Sequence, residues 1–448
     1  MRTAPILFLG LLLLAVLAGC SSPSSQPTAS SPPPPSGPRE RPAPASGITF
    51  GAKVQLGTVT SGAEPGIAAA PDGTVYVTTP LAMWRGDKNG TVWTDLGPGC
   101  LEGAPVPNCP PPLQTSGAPN GVTGGGDADV YVSPNGDLHW LGLGGGIPYQ
   151  RSHDKGITWT KPYDVSQGTG ADREWITGRA DGTLFAAWRD NGKIRMASSR
   201  SNGDNWTKPV DIAPDTRQGG IAVDPASNAL ALAHDLGGVV SVAHSFDNGT
   251  TWKSIVAHTN PAQGQVFPVT AFDANGTLYL AYATDMDKAV PAVQGYERPL
   301  ETPAVFFQVS HDKGLTWTQP VQVNAPGTTA WFPWIAAGGA GKVVLVWYQN
   351  DKGLPRYATD EVYVMSGISL DADFAGPHFA LTRVSEQPVH KGPECRETPP
   401  CTRSLLDFFE VAIHPSGKAI VAFAEDTWPV PRITVDYAMM SSGPSLLG

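Results

Sequence analysis

The sequence predicts an all-β fold, a β-propeller of four-stranded antiparallel blades. Three observations predict it. An apolar strand, a tight turn and a second apolar strand recur seven times, as "GIAAAPDGTVYVTT", "DVYVSPNGDLHWLGL", "WITGRADGTLFAAW", "GIAVDPASNALALAH", "VTAFDANGTLYLAYA", "WIAAGGAGKVVLVWY" and "EVAIHPSGKAIVAFA". Between these hairpins a polar phrase returns almost unchanged, "SHDKGITWT" from Ser152 and "SHDKGLTWT" from Ser310. The composition, with 51 Gly, 44 Pro and 13 Trp in 448 residues, suits many short strands and turns better than helices.

The chain opens on a targeting pattern. Arg2 precedes an apolar run from Ile6 to Leu17, which is too short to span a bilayer comfortably. The run ends in Leu17-Ala18-Gly19-Cys20, which resembles the bacterial lipoprotein lipobox. That resemblance implies a signal peptide over residues 1–19, cleavage before Cys20 and a diacylglyceryl group on its thiol. Residues 20–46 are dominated by Pro and Ser and lack the apolar content for a core, so they read as an extended tether. The folded domain is expected over residues 47–448, lipid-anchored in the cell envelope and facing away from the cytoplasm.

Four further cysteines fall in two local groups, "CLEGAPVPNC" and "CRETPPC". Three connectivities are open. Local pairing, Cys100–Cys109 and Cys395–Cys401, is the expected one, because each pair brackets a Pro-rich loop. Neither spacing is C-x2-C, which argues against zinc. The formal net charge of −10 argues against a nucleic-acid partner.

Each repeat reads as strand A, a turn, strand B, a loop, strand C, the polar phrase and strand D. Radial repetition of such units is a propeller. "SFDNGTTWK" from Ser245 keeps the whole phrase, S-x-D-x-G-x-T-W, while "SRSNGDNWT" puts Ser201 in place of the Asp, and "RGDKNGTVW" is a degenerate copy. The pattern resembles the Asp-box (BNR) repeat of the sialidase superfamily, over most of the chain beyond the tether. In the phrase, the carboxylates of Asp154, Asp247 and Asp312 are expected to hold a turn. The Gly supplies a positive φ, and Trp159, Trp206, Trp252 and Trp317 bury apolar area against the neighbouring sheet. These residues are therefore read as structural.

Seven blades are counted, with six as the alternative. The last unit supplies three strands before the chain ends, and "ITFGAKVQLGTV" before the first unit is a lone strand suited to close the ring. Sialidases proper have six blades, so their site geometry does not transfer directly.

The insertions select one face. The D-to-A connections (97–126 and 386–404) and the B-to-C connections (284–303, 350–360 and 425–432) are the long ones, and long loops on a rigid scaffold are where binding resides. Strand A starts on that face with Asp127 and Asp129, with Asp172, Arg173 and Glu174, and with Asp407 and Glu410. Strand B ends there with Arg189, Asp190, Asp235, Asp285, Asp351, Glu425 and Asp426. Carboxylates, guanidiniums and rings together suit sugars. The candidate ligand-binding residues are Arg173, Glu174, Arg189, Asp190, Asp285, Arg298, Tyr348, Asp351, Arg356, Glu425, Asp426 and Arg432. The expected role is a monomeric glycan- or protein-binding module, with a sialidase-type exo-glycoside hydrolase as the alternative.

The sialidase resemblance would require three arginines around a sugar carboxylate, a Tyr nucleophile with a Glu partner and an Asp acid/base. Tyr348 or Tyr357, with Glu425, are the candidates for the Tyr–Glu pair. The family's F/Y-R-I-P motif is missing near the start of the propeller, and "PRIT" at 431–434 lies at the wrong end. No cofactor is called for by a motif. Ca²⁺ on the acidic rim is an open expectation, although no contiguous calcium loop is present.

Overall fold

The computed structural model describes residues 39–59, 64–79, 82–97, 100–102, 127–144, 146–168, 172–214, 217–259, 268–284, 302–356, 359–392, 405, 407–426 and 433–448. The chain divides into two units, Met1–Glu40 and Arg41–Gly448. The second is a ring of antiparallel sheets, seven blades among the described residues, with no α-helix among them.

Each hairpin seen in the sequence forms strands A and B of one blade. Strand A is Gly66–Ala69, Ala128–Val132, Asp172–Gly178, Arg217–Val223, Val269–Phe272, Thr329–Ala337 and Glu410–Ile413 in blades one to seven. All seven turns open on the same backbone bond, from Ala70, Ser133, Arg179, Asp224, Asp273, Gly338 and His414 to the carbonyl across the hairpin. Strand B is buried along nearly all of its length, as in Val343–Asn350 and Ala419–Glu425. Both its faces are covered because every blade is sandwiched between two others, which explains the near-continuous apolar runs.

Ring closure follows the sequence expectation. Val54–Val59 pairs antiparallel with Ile433–Ser442, so the N-terminal strand completes the blade begun by Glu410–Ile413. Lys53 locks it through ion pairs with Glu425 and Asp436.

The repeated polar phrase is a turn between strands C and D. Asp312 Oδ1 accepts from Thr316 N at 2.8 Å and Ser310 Oγ at 2.7 Å, and Oδ2 accepts from Thr316 Oγ1 at 2.6 Å. Asp154 and Asp247 repeat the arrangement. In the degenerate copy Asp87 accepts from Thr91 N and Val92 N, and in blade three the Ser201 hydroxyl accepts from Asn205 N. The fourth position of the phrase is left-handed: Lys155, Asn202, Asn248 and Lys313 have φ between 52° and 62°, and a positive-φ Gly follows each. That geometry aims the fourth side chain at the preceding blade. Lys155 reaches Asp72 at 2.7 Å, Asn202 reaches Asp137 at 2.5 Å and Lys313 reaches Asp224 at 2.5 Å, each acid sitting in or beside the A–B turn of that blade. The phrase therefore closes its own turn and latches two blades.

Two details add to the expectation. Trp93 and Trp206 meet the strand-C tyrosines Tyr437 and Tyr149 of the preceding blade edge-on, at 4.8 and 5.0 Å. Blade six also carries a turn of this kind that the sequence hid. There Ser369 Oγ donates to Asp371 at 2.8 Å, and Asp371 holds His378 and Arg41.

Candidate functional site

The acids at the start of strand A converge toward the ring axis, from blades one, two, three and seven. Glu64, Asp127, Asp129, Arg173, Glu174, Asp407 and Glu410 are all buried. Glu410 Oε2 accepts from Ile67 N at 3.1 Å, and Asp129 Oδ2 accepts from Ile176 N at 2.8 Å. These are equivalent bonds at two blade junctions, each carboxyl holding the inner strand of the next blade. Glu64 accepts from Asp407 N at 3.1 Å, a second bond across the junction of blades seven and one. Gly66 makes room for this crowding, because a Cβ there would stand 3.2 Å from Asp129 Oδ1 and 3.3 Å from Ala128 O.

Removal from water dominates the protonation of the cluster. Burial pushes Asp129 up to about 7 against the pull of two backbone N–H groups. Burial and the neighbouring Asp129 hold Glu410 well above the ordinary carboxyl range. Glu174 is raised by burial and then by Asp127, and neither of its oxygens finds a hydrogen-bond partner among the described residues. Asp127 is raised by burial, opposed by a hydrogen bond from Glu64. Arg173, held at φ 58°, pairs with Asp407 at 3.1 Å. A non-Gly residue in that region is a strained one, and the register slip between Asp172 and Trp175 accommodates it.

Beside the acids three rings meet across the axis. Trp175 of blade three, Trp334 of blade six and Phe408 leading into blade seven stand 5.5–5.9 Å apart. A cavity of about 330 Å³ occupies the channel from the level of Trp175, Trp334, Asp129 and Glu410 down to Ala69, Val132 and Ile413, beside the A–B turns.

The sequence-selected rim residues are placed as follows. Arg173 and Glu174 join the axial cluster. Arg189 pairs with Asp172 at 3.3 Å, and Asp190 pairs with Arg195 at 2.9 Å. Arg356 is buried with its guanidinium over the rings of Phe332 and Trp331, at 4.4 and 5.7 Å. Tyr348 is buried against Phe409 at 4.3 Å, and its hydroxyl accepts from Ala424 N at 3.3 Å. Asp351 pairs with Arg383, Glu425 with Lys53, and Asp426 with His390 at 2.7 Å. Asp285, Arg298, Tyr357 and Arg432 lie outside the described residues, as do Cys20, Cys109, Cys395 and Cys401. Among the described residues no group of three His, Cys, Asp or Glu is placed to hold a metal ion, so the Ca²⁺ expectation finds no ligand set there.

No protein-family model matches the chain, and no curated protein matches it. Solved structures do. A protein of unknown function from Dyadobacter fermentans is 14% identical with a TM-score of 0.47, over 88% of this chain and 99% of that one. The NanB sialidase of Streptococcus pneumoniae is 13% identical with a TM-score of 0.41, over 87% and 70%. An α-L-arabinanase from Penicillium chrysogenum is 14% identical with a TM-score of 0.43, over 69% and 92%. The likeness is one of chain path and carries no chemistry to this site.

Sequence reasoning placed Asp127, Asp129, Asp407 and Glu410 at the axis but did not single them out as a site. It missed Glu64, and it missed the cavity, which lies in the half of the channel away from the insertions. The available signal was a polar residue standing one place before an otherwise aliphatic ring of positions: Asp129 before Val130 and Glu410 before Val411.

Proposed function

We propose that this chain is an exported lipoprotein, anchored through Cys20, which presents an Asp-box propeller on its Pro/Ser tether as a non-hydrolytic glycan-binding module. Local disulfides Cys100–Cys109 and Cys395–Cys401 would brace two of the loops on the binding face. The observation that carries the reading is the commitment of the guanidiniums. Arg173, Arg189, Arg195 and Arg383 are each paired with an acid of this chain, and Arg356 lies over aromatic rings. A sialidase needs such groups converging on a substrate carboxylate, and releasing Arg173 or Arg195 here would leave the buried Asp407 or Asp190 without that partner. A binding face needs no such convergence.

The test is turnover of a fluorogenic sialoside by the full-length protein, with Arg173→Ala alongside. The expected result is no release above the protein-free rate. Release that disappears in Arg173→Ala overturns the binding-only reading.

A further inference from the structure

The channel cavity has chemistry that the insertion face does not share. Counting back from the first residue of each A–B turn, the third position in the seven blades is Ile67, Val130, Ile176, Ile221, Thr270, Ile335 and Val411. All seven line the cavity. Six are branched aliphatics and one is a threonine. Thr270 is 9% exposed, and its Oγ1 has no hydrogen-bond partner among the described residues. A buried hydroxyl facing a ring of methyl groups costs free energy unless something in the cavity bonds to it.

One step up the channel the walls change. Trp175 and Trp334 present ring surface, and Asp129 and Glu410 present carboxyls. The cavity thus has an aliphatic barrel interrupted by the Thr270 hydroxyl and a head lined by two acids and two indoles. Carboxylates beside aromatic faces are the recognition chemistry of an organic ammonium group. An aliphatic barrel takes an alkyl body.

We infer that the axial cavity is a binding site for a small organic ammonium ion, its cationic head between Asp129 and Glu410 and against Trp175 and Trp334, its short apolar body in the barrel.

The acids around the head favour a cation over an anion, because a bound cation stabilises their ionised form and an anion opposes it. Asp127, Asp172, Glu174 and Asp407 stand behind Asp129 and Glu410, and Arg173 is paired with Asp407. Burial raises both head carboxyls, Asp129 to about 7 and Glu410 well above its ordinary range. An entering ammonium favours their ionised form, so binding displaces a proton to solvent, and affinity rises with pH until the amine itself deprotonates.

The experiment is titration of the full-length protein with n-butylammonium, n-butanol and butyrate, followed by intrinsic tryptophan fluorescence and calorimetry. Butylammonium is expected to saturate, at least about tenfold more tightly than butanol, and butyrate not to bind. Repeating the calorimetry in buffers of different ionisation enthalpy should show proton release, and the affinity should rise from about pH 5 to about pH 8. Ile335→Trp fills the barrel and leaves both carboxyl staples in place, so it should abolish binding while the folded baseline persists. Equal binding of butanol and butylammonium, no saturable binding of either, or full binding by a folded Ile335→Trp variant would each overturn the inference.

Discussion

Replacing Asp312 by Ala removes the acceptor that closes the C–D turn of blade five. Three hydrogen bonds are lost, from Thr316 N, Thr316 Oγ1 and Ser310 Oγ. Burial alone would raise this carboxyl, but the bonds from Thr316 and Ser310 outweigh it and hold it below its ordinary value, so the charged form is the one the fold uses. The Thr316 bonds lie at an exposed turn, so water replaces part of what they contribute. Taking somewhat under 1 kcal/mol net for each bond gives a loss of about 2 kcal/mol. For a ring of roughly 400 residues with an unfolding entropy of about 2.1 cal/mol/K per residue, that is a Tm drop of about 2–3 °C. Differential scanning calorimetry of the full-length protein reads it directly, and glycan binding measured well below Tm should be unchanged. A variant with wild-type Tm and lost binding would refute the structural assignment of the phrase.

Three other outcomes follow from the geometry. Lys313→Ala should cost about 1–2 kcal/mol, because it strips Asp224, whose side chain is buried, of its cross-blade cation; thermal melts compared with Lys313→Arg check it. Lys53→Ala should loosen ring closure and raise amide exchange in Val54–Val59, since Glu425 and the fully buried Asp436 lose their shared cation. The folded-state pKa values of Asp127, Asp129, Glu174 and Glu410 are raised above their unfolded values, so the folded ring holds more protons. Its stability from these groups is full below about pH 4 and is lost as pH rises through the folded values, about 7 for Asp129; melts should fall between about pH 5 and pH 8, and Glu174→Gln should flatten the slope.

Much of the ring was legible in the sequence, because its local rules are strict. Seven hairpins announced seven blades, and a Gly after a left-handed residue announced each C–D turn that followed the phrase. The turn at Ser369 and Asp371 escaped, because His378, not a near threonine, supplies the backbone N–H to the carboxylate, and Arg41 arrives from far along the chain. The axial cluster was half legible. Alternation put Asp129 and Glu410 on strand A, but nothing local says that each carboxyl will hold the neighbouring inner strand and that Asp129 will crowd Gly66. Those are consequences of closing a ring. The rim arginines illustrate the same limit: their type suggested ligand binding, and only the fold reveals that Arg173 and Arg189 meet acids and Arg356 meets rings.

In the proposed reading, glycan recognition belongs to the insertion face and the repeated phrase to the scaffold. The most direct measurement is glycan binding, by calorimetry on oligosaccharides selected from an array, for Arg189→Ala and Asp351→Ala on one face and Asp312→Ala on the other. The first two variants are expected to weaken binding about fivefold or more while Asp312→Ala binds as wild type below its Tm. Undiminished binding in both rim variants, with binding lost in a folded Asp312→Ala protein, would contradict it.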